Sequence, residues 1–411
     1  MNDDIARATR TPISRRRFIQ GSGLAGFAAF LAACGTSGTG TASPGGASAT
    51  PAGSASAPTG SGEPSQVGGE LNFANWIGYM DVSDDGNSFP TLEEFTAATG
   101  ITVNYDESID DNETFFTSDL QGPLSQGLPS EWDIVVVTDW MVARLARLGW
   151  LDPIDTSRTP NFPANLLEQY IGRSFDPETN LAAPWQSGMT GLGFDMAQTG
   201  ELTSLDALWD TQYAGKVTYL SEMRDTVGLA AIRLGHDPAE ITREQFDEAI
   251  AEVQKAVDDG VVRQVIGNSY VEDMAGGGAI LGMAWSGDVL SLLVPDQTAE
   301  QDFQFRVAEE GGMLWTDNMV IPKGAPNKAQ AETWIDYYYQ PEVAAQVEAW
   351  VNYVCPVKGA REVLLEQDPE IGENPLIFPP DDVVARLHQF RALDGTEEQE
   401  WSEAFAAVQG L

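Results

Sequence analysis

Trp132-Asp133-Ile134-Val135-Val136-Val137-Thr138-Asp139-Trp140 is the stretch that decides the fold. Residues 133–138 form a β-branched run without polar alternation, the pattern of a strand buried on both faces of a parallel sheet. From 140 to 148 apolar residues recur at helical spacing, and Gly149 ends the run. Upstream, 70–76 reads as a strand leading into a loop. Thr91-Leu92-Glu93-Glu94 reads as a capping box opening a helix that stops at Gly100, and 101–105 as an alternating strand. This strand and helix order predicts an α/β fold with an open sheet, whose ligands bind beyond the carboxyl ends of the strands.

A second α/β unit begins near Gly188. Its strands are predicted at 191–194, 217–220 and 280–285, and Thr242-Arg243-Glu244-Gln245 caps a long amphipathic helix running to about Val257. A further strand at 319–322 precedes a helical pattern over 327–339. The 343 residues from 69 to 411 suit two lobes better than one core. Two sheets with a cleft between them are expected.

The N-terminus has a different character. Ser14-Arg15-Arg16-Arg17-Phe18-Ile19 precedes an apolar run over 21–33 that ends in Leu31-Ala32-Ala33-Cys34. A twin-arginine region, a short apolar segment and small residues before cysteine read as an export signal of the Tat type over 1–33. The ending resembles the lipobox of bacterial lipoproteins, which makes Cys34 the expected site of lipid attachment. The apolar run is too short to cross a bilayer core of about 30 Å. Residues 35–68 are almost wholly Gly, Ser, Ala, Thr and Pro, with Glu63 the only charge, so 34–68 is expected to be a disordered, lipid-anchored linker. Its r.m.s. reach is about 30–35 Å. The mature chain is thus expected outside the cytoplasmic membrane, held to it by lipid.

Charge narrows the partners. The chain has 62 Asp and Glu against 22 Lys and Arg. Removing residues 1–33 takes away five arginines and two aspartates, leaving 60 against 17 and a net charge of −43. Nucleic acid needs a basic face and is excluded as a partner. Cationic ligands would be steered in. With Cys34 acylated, Cys355 has no disulfide partner and reads as a small buried hydrophobe. The two histidines, His236 and His388, lie 152 positions apart, so neither a metal site nor a Ser-His-Asp triad is expected. No cofactor is implied, and a monomer is expected.

Five blocks then carry a family resemblance: F-A-N-W-I-G-Y (73–79), W-D-I-V-V-V-T-D-W (132–140), G-K-V-T-Y-L-S-E-M-R-D (215–225), L-G-M-A-W-S-G-D (281–288) and E-E-G-G-M-L-W-T-D (309–317). In order and spacing they resemble the spermidine/putrescine-binding proteins of bacterial ABC importers, a branch of the periplasmic binding proteins. The resemblance implies a two-lobed type II fold with the ligand cleft between the lobes. Lobe 1 would be 69–186 and 318–362, lobe 2 would be 187–317 and 363–411, and the strands would cross near Ser187 and Asn318. It also implies an extracytoplasmic protein that binds a polyamine and delivers it to a membrane permease driven by an ATPase. It does not imply an enzyme.

Placed one by one, the resemblance makes Trp76, Tyr79, Thr138, Trp140, Glu222, Asp225, Ser269, Trp285, Trp315 and Asp317 the ligand-binding residues. Spermidine-selective members have an acid between the Trp and Tyr of the first block, where this chain has Ile77 and Gly78. The family's C-terminal glutamine has no counterpart near Gln389-Phe390-Arg391.

Physical chemistry gives these residue types the same meaning. A polyamine is a methylene chain punctuated by ammonium groups. Aromatic faces grip the chain and attract the cations by about 0.5–2 kcal/mol each. Carboxylates add charge-assisted hydrogen bonds of roughly 1.5–3 kcal/mol each, offset by the cost of desolvation. Plainer roles stand beside each assignment. Tryptophans pack cores, Glu222 and Asp225 would complement a helix dipole, Thr138 would cap the following helix, and Asp317 would suit a turn. A sugar or a modified amine would also suit tryptophans and acids. A glycosidase needs carboxylates that flank a bond, whereas two acids three apart on a helix stand side by side.

Overall fold

The computed structural model describes residues 68–83, 85–109, 111–292 and 301–409. The expected signal sequence, Cys34 and the expected linker up to residue 67 lie outside the described residues.

The first unit runs β1 (Gly69–Trp76), α1 (Pro90–Thr99), β2 (Ile101–Ile109), β3 (Ile134–Thr138) and α2 (Asp139–Leu148). β1 pairs in parallel with both β2 and β3. The valine run of β3 is buried on both sides, as its composition demands. Val136 enters a core with Leu71, Phe73, Trp185 and Trp334. Val135 and Val137 face the other way, against Met141, Val142 and Leu145 of α2.

β4 (Ala182–Asp195) leads into the second unit. There follow β5 (Val217–Leu220), α3 (Met223–Arg233), α4 (Arg243–Asp258), β6 (Val262–Ile266), α5 (Tyr270–Ala275), β7 (Leu281–Trp285), α6 (Ser286–Leu292) and β8 (Phe303–Arg306). Its core gathers Leu192, Phe194, Tyr219, Phe246, Tyr270 and Met283. The chain returns through β9 (Gly312–Val320) to α7 (Lys328–Tyr338) and α8 (Pro341–Val351) on the first core. It ends with β10 (Leu387–His388) and α9 (Gly395–Gln409), whose Trp401, Phe405 and Val408 join the second core. The protein is a two-lobed α/β structure of the type II binding-protein kind.

Three expectations need correction. The strands form not two sheets but one hydrogen-bonded path, β2-β1-β3-β9-β4-β7-β5-β6, with β8 on β4 and β10 on β9. The reason lies in β4 and β9, which pair antiparallel from Ala182↔Val320 to Thr190↔Met313 and pass from one core into the other. Ala183, Trp185 and Met319 sit in the first core, Leu192, Phe194 and Met313 in the second. The length of β4 is hidden in the sequence because Pro184, Gly188 and Gly191 read as breakers.

Second, Thr91 does not cap α1. Pro90 occupies the first helical position, Phe89 stands at the N-cap without a side-chain bond, and the Thr91 amide donates instead to Asp81 Oδ2 at 3.1 Å. Third, β6, β8 and the two-residue β10 have no strong sequence pattern and emerge only in the structure. The capping box at Thr242 and Gln245 is present with both of its hydrogen bonds. Cys355 is buried, as expected. Among the described residues no helix is long and apolar enough to cross a membrane.

Candidate ligand-binding site

The site grows from the crossing strands. Asp317 lies on β9 opposite Thr138 of β3 on one side and Gln186 of β4 on the other. Tyr79 Oη donates to its Oδ2 at 2.9 Å, and Thr138 Oγ1 donates to its Oδ1 at 2.7 Å. Thr138 stands at the N-cap of α2 but makes no cap bond, because its hydroxyl is engaged with Asp317 and receives Asn112 Nδ2. Two hydroxyls thus aim one buried carboxylate.

Aromatic rings surround this acid. Tyr353, just beyond α8, packs 5.7 Å from Tyr79 and 5.4 Å from Trp315. Trp315 lies directly over Gly188 of β4, where a Cβ would fall 2.0 Å from the indole. Gly287 makes similar room for the Tyr353 ring, with a Cβ placed 2.5 Å from it. The Trp76 indole N–H donates to the Val136 carbonyl at 3.0 Å.

The second lobe contributes another acid. Asp225, in the first turn of α3, accepts from Thr190 Oγ1 at 2.7 Å and from Trp285 Nε1 at 2.8 Å. Burial, and next the negative charge of Glu222, push its carboxyl up to about 7 against these two donors. Glu222 is the N-cap of α3, bonding the Arg224 amide at 3.2 Å, so the helix-dipole role is real for this residue. A relay joins the two acids. Tyr270 donates to Asp288 and receives the Trp285 amide, and Tyr353 Oη donates to Asp288 Oδ1 at 3.3 Å.

The structure therefore brings Tyr79, Thr138, Trp315 and Asp317 together around one acid, and Asp225 and Trp285 around the other. Three predicted side chains, Trp76, Trp140 and Ser269, stand apart from these contacts, the Trp76 indole being bonded to the Val136 carbonyl. Trp140 has its face covered by Arg224, with the guanidinium carbon 4.2 Å from the ring. Ser269 is exposed at the start of α5, and it is the next residue, Tyr270, that reaches Trp285.

Sequence reasoning missed three members. Tyr353 and Asp288 were visible only as an apolar neighbour of Cys355 and as the last letter of a quoted block. Glu107 of β2 is the third. Its Oε1 accepts from the Gly78 amide at 2.9 Å, bringing a carboxylate to the turn whose own side chains, Ile77 and Gly78, carry none. No signal in the 73–79 block could reveal it, since it comes from the neighbouring parallel strand. Among the described residues no group of His, Cys, Asp and Glu could hold a metal ion.

A two-lobed fold with acids and aromatic rings gathered at the lobe crossing defines a solute-binding protein. The sequence profile of the bacterial extracellular solute-binding proteins matches residues 91–379, and the chain belongs to that family. The family is one of transport proteins that capture solutes rather than of enzymes. The spermidine/putrescine-binding periplasmic protein of Escherichia coli K12 is 28% identical over 313 residues, covering 75% of this chain and 83% of its own. The putrescine-binding periplasmic protein of the same organism is 26% identical over 356 residues, covering 82% and 90%. Among solved structures, the spermidine/putrescine ABC transporter substrate-binding protein of Streptococcus pneumoniae superposes with a TM-score of 0.69 at 24% identity. That superposition covers 83% of this chain and 98% of the other.

Proposed function

We propose that this protein binds a polyamine of the putrescine or spermidine type outside the cytoplasmic membrane and delivers it to the permease of an ATP-driven importer. Asp317 carries the reading. A carboxylate is set between the Tyr79 and Thr138 hydroxyls beside the rings of Trp315 and Tyr353, an arrangement suited to an ammonium followed by methylenes. Asp225, bonded to the Trp285 indole N–H, offers a second cation partner, and Glu107 brings charge to the turn where Ile77 and Gly78 supply none. The names of the curated relatives point the same way.

Lobes at 69–186 plus 318–362 and 187–317 plus 363–411 would hinge on β4 and β9 and close over the solute. The closed form gains contacts that the open form lacks. Export by the Tat route, acylation of Cys34 and the 34–68 linker would keep a monomer beside its permease. Loss of palmitate labelling in Cys34→Ala tests the anchor.

Isothermal titration with putrescine, spermidine, spermine and maltose tests the ligand class. Binding at micromolar strength, about −8 kcal/mol, to one of the amines is expected. Binding of maltose with silence for all three amines would replace the polyamine by a sugar.

A further inference from the structure

One cluster of charges links the lobes away from Asp317, starting from Arg224, the neighbour of Asp225, whose guanidinium also faces Glu222 at 3.5 Å. Glu398 lies in the first turn of α9, a helix anchored in the second core by Trp401 and Phe405. Its carboxylate receives Arg147 Nη2 at 2.9 Å and Arg144 Nε at 3.3 Å. Both arginines come from α2, which is anchored in the first lobe by Met141, Val142 and Leu145. The other Glu398 oxygen receives Arg224 Nη2 of α3 at 3.1 Å. Arg224 then crosses to the first lobe and stacks on Trp140 of α2 at 4.2 Å. Arg147 Nη1 adds a bond to the Leu393 carbonyl at 2.8 Å, just ahead of α9.

These contacts separate into two kinds. The Arg224–Glu398 pair lies within the second lobe and survives any rigid movement of it. Arg144–Glu398, Arg147–Glu398, Arg147–Leu393 and Trp140–Arg224 all join α2 to the second lobe, so they exist only while the lobes are together. The Glu398 and Arg224 side chains are only 9% and 12% exposed, so in this arrangement the cluster is largely shielded from water. Charged groups in such a place gain from one another only when fully assembled. Arg144 keeps Glu113 and Arg224 keeps Glu222 within their own lobes, so what opening removes is the pairing of Glu398 with Arg144 and Arg147 and the Trp140 stack.

We propose that Glu398, with Arg144, Arg147 and the Arg224–Trp140 stack, forms a latch that sets how often the empty protein closes. Trp140 then grips a cation of the opposite lobe rather than the solute. Affinity for any solute scales with the closed fraction, because a binding-competent state that is rarely populated weakens apparent binding in proportion. The proposal rests on hinge closure and not on the identity of the solute.

Spin labels at Gln126 and Asp258, exposed positions on the two lobes, report the lobe separation of the purified, ligand-free chain. Glu398→Gln is expected to move the distance distribution towards the open form and to weaken putrescine binding by about fivefold. Arg147→Gln removes one arm of the latch from the more exposed side, 36% accessible, and is expected to shift the distribution in the same direction by less. If Glu398→Gln does not fold, Arg147→Gln alone decides. Unchanged distances in the folded variants, even with a lowered melting temperature, would make the cluster a static contact and overturn the latch. Because the distances are read without ligand, failure of the polyamine reading appears separately, as absence of putrescine binding to the native chain.

Discussion

Asp317 and Asp225 stand at the two ends of one relay of side chains and are buried alike, at 4% and 5% exposure, yet their settings differ. Asp317 sits within a ladder, with β3 and β4 bonded on either side, and its donors come from Tyr79 and Thr138, 238 and 179 residues away. Asp225 sits in a helical turn beside another acid, and that neighbour together with burial lifts its carboxyl to about 7. The crossing strands give a carboxylate a fixed address. The helix start gives one whose charge depends on pH and on the presence of a cation.

The largest effect should therefore come from the ladder. Asp317→Asn keeps the shape and loses the charge, and calorimetry with putrescine or spermidine should show affinity lowered at least about tenfold. An unchanged constant would remove Asp317 from the site and leave Asp225 as the main cation partner. Asp225→Asn should cost about fivefold at pH 8 and little at pH 5.5, where the native group already carries a proton.

The sign of the pH effect follows from the raised value. Binding a cation favours the anion, so below about pH 7 binding must expel a proton. Native affinity should rise with pH up to about 7 and then level, whereas Asp225→Asn should be flat. A native profile that is already flat from pH 5.5 to 8 would erase the contrast between the two acids. Glu107→Gln should be milder, about threefold, since this carboxylate is only partly buried and also holds the Gly78 turn.

The smallest effect concerns stability. Glu348, at the end of α8, accepts the Tyr353 amide at 2.8 Å, and burial pushes its carboxyl up to about 8. An acid raised in the folded state stabilises below its unfolded value and loses that contribution as pH rises through the folded one. Melting temperature should fall between about pH 5 and 9, and Glu348→Gln should flatten that fall by a few degrees. Equal slopes for both proteins would assign the pH dependence elsewhere.

The sequence by itself determined the class of fold, because the signals that carry it are local. A valine run can be buried on both faces only in a covered sheet, and 140–148 has the period of a helix. The blocks that resemble a family also single out Tyr79, Thr138, Trp315 and Asp317, four side chains that the fold brings together. Only the tertiary structure decided what these side chains touch. Glu107 and Tyr353 reach the site from segments outside those blocks, Asp288 closes one of them but gains its role only through Tyr270 and Tyr353, Trp140 is taken up by Arg224, and Glu398 finds two of its arginines about 250 residues upstream. Periodicity reports which face of an element is buried, whereas a hydrogen bond between distant segments depends on how β4 and β9 bring the lobes together, and no local pattern encodes that distance.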